Sequence, residues 1–164
     1  MKTIYIIGGT MGAGKTAVCQ NLKMKLNNSV FLDGDWCWDM HPFQVTDETK
    51  AMVVGNICHI LNSFLSCSAF ENIIFCWVMH EQSIINNIVS QLDLSDCRII
   101  NISLICTEDA LRKHLQKDVD NGIRTADVID RSIARIPLYE KLNTVKIDVS
   151  GKSVDAVADK IKQL

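Results

Sequence analysis

Proline is almost missing from this chain, which has two in 164 residues, Pro42 and Pro137. No proline-rich linker therefore divides it, and long helices can run unbroken. There is no basic excess either: 17 Lys and Arg stand against 19 Asp and Glu. That balance excludes nucleic-acid binding by overall charge. No apolar run reaches the roughly 20 residues a membrane span needs. The opening Met1-Lys2-Thr3-Ile4-Tyr5-Ile6-Ile7-Gly8 has one basic residue and too short an apolar stretch for a signal peptide. The seven cysteines (19, 37, 58, 67, 76, 97, 106) form no C-x-x-C pair and no histidine spacing accompanies them. Neither a zinc site nor a disulfide frame is indicated, and they read as small core residues in a reducing compartment. With 22% charged and 48% hydrophobic residues, the composition is that of one folded domain. The expectation is a cytoplasmic protein with no nucleic-acid or membrane partner. Oligomeric state has no signature here.

What the chain does have is an alternation. Short β-branched runs at Thr3–Ile7, Val30–Asp33, Ile73–Met79, Ile99–Cys106 and Val145–Val149 are mostly apolar with little polar alternation, as strands buried on both faces should be. Between them lie helical patterns at Lys15–Leu26, Asp47–Leu65, Glu81–Leu92, Glu108–Lys117, Ala126–Leu142 and Val154–Leu164. Thr46, Thr107, Thr125 and Ser153 stand where N-caps belong, and Pro137 is expected to kink or end the fifth helix. Strand–helix alternation predicts a doubly wound α/β domain with a parallel sheet and helices on both faces.

The strongest motif is Gly9-Thr10-Met11-Gly12-Ala13-Gly14-Lys15-Thr16, a match to G-x-x-x-x-G-K-[ST] between the first strand and first helix. Its glycines let backbone N–H groups turn inward around a phosphate, and the helix N-terminus adds partial positive charge. Lys15 would reach the β and γ oxygens of ATP, and the Thr16 hydroxyl would ligate Mg²⁺. Ala17 closes the nucleotide-binding stretch. The same residues fit a loose dinucleotide pattern, G-x-G-x-x-G/A with Asp33 downstream, but Gly8 to Met11 intervene between that pattern and the strand.

The second strand runs into Asp33-Gly34-Asp35 at the carboxyl edge of the sheet, where ligands of doubly wound folds bind. Asp35 is a candidate base for an attacking hydroxyl, and Asp33 a candidate for the metal side. Here the sequence resembles the small P-loop kinases: the gluconate, shikimate and adenylylsulfate kinases, chloramphenicol phosphotransferase and, more distantly, nucleoside monophosphate kinases. The resemblance rests on the loop and on Leu32-Asp33-Gly34-Asp35. It implies one P-loop kinase domain over residues 1–164, with a five-stranded parallel sheet in a core of 1–35, 72–106 and 143–164. It also implies a helical acceptor-binding insertion at 36–71 and a lid at 117–126. By that resemblance Asp35 is the acceptor-side base and Asp33 a metal carboxylate. Gly122 would hinge the lid and Arg124 would swing onto the transferring phosphoryl group. Arg131 and Arg135 would serve phosphates and acceptor from the next helix, and Lys152 lies in a loop resembling the one that holds adenine. One departure stands out. The third strand ends in Trp77-Val78-Met79-His80, without the Walker B aspartate.

From Trp36 to Cys97 there is no arginine, and the only lysine is Lys50, against seven acidic residues. Carboxylate or phosphate acceptors call for a guanidinium fork. The segment instead holds Trp36, Trp38, Trp77 and His80, so the expected acceptor is a neutral or cationic small molecule with a free hydroxyl. The sequence thus points to an ATP- and Mg²⁺-dependent phosphotransferase. A nucleotide or nucleoside kinase, and a nucleotide-binding module without phosphotransfer, are the alternatives.

Overall fold

A computed structural model describes residues 1–164. Five parallel strands form one sheet: β1 (Lys2–Gly9), β2 (Ser29–Asp33), β3 (Asn72–Trp77), β4 (Cys97–Ile105) and β5 (Val145–Asp148). Their spatial order is β2-β3-β1-β4-β5. The six helices are α1 (Lys15–Lys25), α2 (Asp47–Ser66), α3 (Gln82–Val89), α4 (Glu108–Asp120), α5 (Asp127–Glu140) and α6 (Val154–Lys162). No helix is long and apolar enough to cross a membrane.

The continuous apolar runs are explained by the two faces of the sheet. Along β1, Tyr5 and Ile7 point into a core shared with Val18, Leu22, Val157 and Ile161 of α1 and α6. The alternate residues Ile4 and Ile6 point into a second core with Val53, Ile57 and Leu61 of α2 and Ile85 and Ile88 of α3. Period 2 is present, but both faces are dry, so it leaves no polar alternation to read. The carboxyl edge of β1 is the centre of the molecule. Gly8 lies level with Trp77 of β3 and with Ser103 of β4. Chain leaving β1 there enters a crevice, because the next strand in sequence is two places to one side.

Three expected caps form. Thr46 and Thr49 make a reciprocal capping box on α2, Thr107 accepts from Ala110 N at 3.3 Å, and Ser153 accepts from Ala156 N at 3.1 Å. Thr125 does not cap α5: Ala126 occupies that place without a side-chain cap, and the Thr125 hydroxyl donates to the Asp127 carboxylate instead. Pro137 does not end α5, which continues to Glu140. It sits in the last turn, where its missing N–H removes only one bond of the ladder.

Around the expected lid, α4 runs three residues further than its pattern indicates, to Asp120, and Gly122 takes a left-handed φ of 69° just past its end. Ile123 N and Arg124 N both turn back onto Asp118 O, which closes the helix. The connection to α5 is therefore short, and α4 and α5 pack through Leu111, Leu115, Val128 and Ile129. Most of α2 is packed against the sheet, and only the short 3-10 turn at Gly34–Trp38, the stretch 39–45 and the first turn of α2 face the crevice.

Candidate functional site

The loop from β1 to α1 is held from both sides. The Thr10 hydroxyl, fully buried, donates to Ser132 O of α5 at 3.0 Å. Gly12 has a φ of 85°, and a Cβ there would stand 2.6 Å from Leu115 Cδ2 of α4. Only glycine fits both constraints. Gly14 caps α1 with a φ of 79° and no side-chain bond, so nothing of the protein competes for the first N–H groups of that helix. Lys15 Nζ rests on Thr10 O at 3.1 Å. Its burial pulls its pKa below the usual lysine range, while the Asp35 and Asp33 charges are among those that push it back.

The first turn of α1 is tied to the end of β2. Thr16 Oγ1 donates to Asp33 Oδ2 at 2.6 Å, and the other Asp33 oxygen accepts from Asp35 N at 3.0 Å. Gly34, between the two carboxylates, is required by packing: a Cβ would stand 2.6 Å from Trp77 Cγ. Asp33 is buried, whereas Asp35 faces the crevice. Partial desolvation there, and then the Asp33 charge, raise the Asp35 carboxyl above the ordinary range. Lys15, the Trp77 indole and Arg124 pull it the other way.

Oxygen donors that already meet, as Thr16 and Asp33 do, fit Mg²⁺, which takes one or two protein oxygens and keeps its remaining places for water and phosphate. The end of β3 carries no aspartate. Asp33 is level with Cys76 in the sheet and reaches Thr16 from β2. The chain holds no group of three His, Cys, Asp or Glu side chains that could cage a metal unaided.

Three cavities adjoin along the crevice. The first, about 600 Å³, lies between the β4–α4 and β5–α6 loops and is lined by Gly12, Ala13, Thr107, His114, Ser150 and Lys152, among others. Those two loops are joined where Thr107 N donates to Ser150 Oγ at 2.9 Å. Lys152 Nζ is bonded to Asp148 O at 2.7 Å. The second, about 360 Å³, contains Met11, Gly12, Gly14, Lys15, Thr16, Ala17, Asp35, His114, Asp118 and Arg124. The third, about 800 Å³, is walled by Trp36, Trp38, Phe43, Val45, Trp77 and Ile84, with Asp35, Asp39, Lys50, His80 and Arg135 as its charged or polar members. Asp35, Met11 and Val78 belong to both the second and the third.

Most of the residues singled out from sequence are thus brought together. Arg124 is present but held by Asp118, Nε to Oδ2 at 3.1 Å. Arg131 is not brought in: it is exposed, lines none of the three cavities and pairs with Asp127 one turn earlier at 3.1 Å. An (i, i+4) carboxylate on the same helix face captures it. Sequence reasoning missed His114, which borders both the first and second cavities, and Lys50 and Asp39 at the third. The apolar residues Leu111 and Leu115, which turn that face of α4 onto the loop, are the signal that finds His114.

The fold and loop together define a P-loop nucleotide-binding protein with the architecture of the small kinases. The chain belongs to the AAA domain family, whose model matches residues 6–134. No curated protein sequence matches it. Among solved structures it is similar to a gluconokinase from Sinorhizobium meliloti 1021, at 14% identity and a TM-score of 0.69 over 97% of this chain and 88% of that one. It is similar to the tunicamycin resistance protein of Deinococcus radiodurans at 19% identity and a TM-score of 0.69, over 99% and 95% of the two chains. A shikimate kinase from Acinetobacter baumannii, in complex with shikimate, matches at 20% identity and a TM-score of 0.62, over 99% and 92%. At these identities the likeness establishes a shared fold.

Proposed function

We propose that the protein is an ATP-dependent phosphotransferase acting on a hydroxyl of a small molecule. The observation that carries this reading is the position of Asp35, which lines both the phosphate-loop cavity and the aromatic cavity. A hydroxyl in the third cavity would meet there a γ-phosphoryl group held by the loop. The first cavity takes the base and ribose, between α4 and the Ser150–Lys152 turn. The hydroxyl oxygen forms a bond to Pγ as the bond from Pγ to the bridging oxygen of ADP breaks, and the hydroxyl proton passes to Asp35. Lys15 offsets charge on the departing phosphate oxygens, and Arg124, released from Asp118, does so on the transferring group. Thr16 and Asp33 would hold Mg²⁺, which supplies charge neutralisation when bound with the nucleotide.

The expectation of a neutral or cationic acceptor rests on the arginine-free middle segment, but α5 brings Arg135 into the same cavity. That favours a neutral or anionic end group over a cationic one. The rival reading, a nucleotide-binding module that transfers nothing, is favoured by the absence of an acidic residue at the end of β3. Following the γ-phosphate of labelled ATP in the wild-type protein and in Asp35→Asn separates them. The phosphotransferase reading requires Asp35-dependent transfer, and the module reading requires bound, intact ATP.

A further inference from the structure

The third cavity is unlike a site for a compact polyhydroxy acid. Its walls are Trp36, Trp38, Phe43, Trp77, Val45 and Ile84. A polyol needs a polar partner for each hydroxyl, and among these side chains only the indole N–H groups can hydrogen-bond. The aromatic rings are held without being covered. Trp36 stands edge-on to Phe31 at 5.3 Å, and Trp38 lies tilted on Phe43 at 5.6 Å. Yet Trp36 remains 54% exposed and Phe43 66%. Apolar area gathered on one concavity is stabilised when an apolar ligand covers it.

The polar groups fall at two stations. Asp35 marks the phosphate end. Arg135 enters from α5 and lines the third cavity alone, whereas Asp35 lines the second as well. Arg135 therefore marks the end of the third cavity away from the phosphate loop. Its neighbour Arg131 is paired with Asp127 and Lys50 has Asp47 at 3.6 Å, whereas Arg135 makes no ion pair within 4.0 Å, the Glu81 carboxylate facing His80 instead. Asp39 is exposed at the mouth.

We propose that the acceptor is an alcohol with a flat, apolar, aromatic body, its hydroxyl at Asp35 and an anionic group at its far end on Arg135. This deepens the phosphotransferase reading and rests on it. The ring lies among the tryptophans, the guanidinium supplies a charge-assisted hydrogen bond, and the length of the body sets the hydroxyl against the γ-phosphoryl group.

Three benzyl alcohols test this, since they share ring and hydroxyl and differ only at the para position. They are 4-(hydroxymethyl)benzoate, benzyl alcohol and 4-(aminomethyl)benzyl alcohol, presented to the full chain with Mg²⁺ and ATP, with gluconate and glycerol alongside. The expected order of phosphate-ester formation, as kcat/KM, is carboxylate, then neutral, then amine, spanning about tenfold or more, with gluconate and glycerol below all three. Arg135→Gln removes the advantage of the carboxylate. Trp38→Ala raises KM for the ring alcohols about tenfold relative to KM for ATP. A thermal shift with ATP analogue confirms that each variant is folded. Preference for gluconate, glycerol or the amine overturns the proposal. So does a ring series that neither turns over nor shifts the midpoint while Lys15-dependent release of phosphate to water continues, and in that case the phosphotransferase reading survives. If the γ-phosphate never leaves bound ATP, that reading fails and the proposal fails with it.

Discussion

Thr16 Oγ1 and Asp33 Oδ2 lie 2.6 Å apart, a bond that joins the first turn of α1 to the end of β2 across the intervening strand β3. The second Asp33 oxygen simultaneously holds Asp35 N, so one buried carboxylate fixes both the hydroxyl of the phosphate loop and the backbone of the acceptor-side aspartate. Removing it should loosen two parts of the site together.

The Asp33 charge also raises the Asp35 carboxyl. Asp33→Asn should therefore lower the Asp35 pKa toward the ordinary value of about 3.9, which carboxyl-carbon NMR titration of the ligand-free protein reads directly. For a base that works ionised, activity is present above the raised pKa and is lost as pH falls through it. An unchanged or higher Asp35 pKa in the variant would contradict this electrostatic account.

Gly12 is constrained twice, by its positive φ and by Leu115, whose Cδ2 would stand 2.6 Å from an alanine methyl at that position. Gly12→Ala should destabilise the protein by about 1–3 kcal/mol and weaken ATP binding. Adding Leu115→Ala should relieve the clash but not the backbone strain, so denaturant melts of the double variant should show less than the summed losses of the two single variants.

His80 is held below the ordinary histidine range by burial and then by the Arg135 charge, against Glu81. Arg135→Gln should raise its pKa, and ring-proton NMR titration measures the change. A His80 that does not respond would mean that Arg135 does not face it, which would also remove the charged end of the aromatic cavity.

Arg124 is paired with Asp118 and yet lines the phosphate cavity. Arg124→Ala should cut kcat by about 10²-fold or more with a smaller change in KM for ATP, as expected for a cation engaged only in the transition state. Equal losses in ATP binding and turnover would assign it to ground-state binding.

The sheet and helix order are legible in the sequence because strands buried on both faces read as short apolar runs while helices buried on one face carry a 3.6-residue period, and the loop motif falls at their first junction. Asp33 and Asp35 are legible as neighbours of that loop. Other features depend on three-dimensional contacts that spacing does not carry. Arg131 and Arg135 share a helical interval, but only Arg131 has a carboxylate four residues earlier. Arg135 is legible as an acceptor-side residue of that helix, and it does line the aromatic cavity. Gly34 has the look of an ordinary turn residue, and its necessity comes from Trp77 on the neighbouring strand β3. Thr125 has a capping residue's chemistry, but Asp127 engages its hydroxyl.

The most direct test of phosphotransfer at Asp35 is a label-transfer experiment. Wild type, Lys15→Ala and Asp35→Asn are incubated with Mg²⁺ and ATP labelled at the γ-phosphate, with pooled hydroxyl compounds of ring, polyol, sugar-acid and nucleoside type. Wild type should move label to an acceptor. Asp35→Asn should bind ATP as wild type does and lose transfer by about 10²-fold or more, and Lys15→Ala should lose turnover altogether. Transfer in Asp35→Asn at the wild-type rate, or ATP that stays bound and intact in wild type with every acceptor, would contradict it.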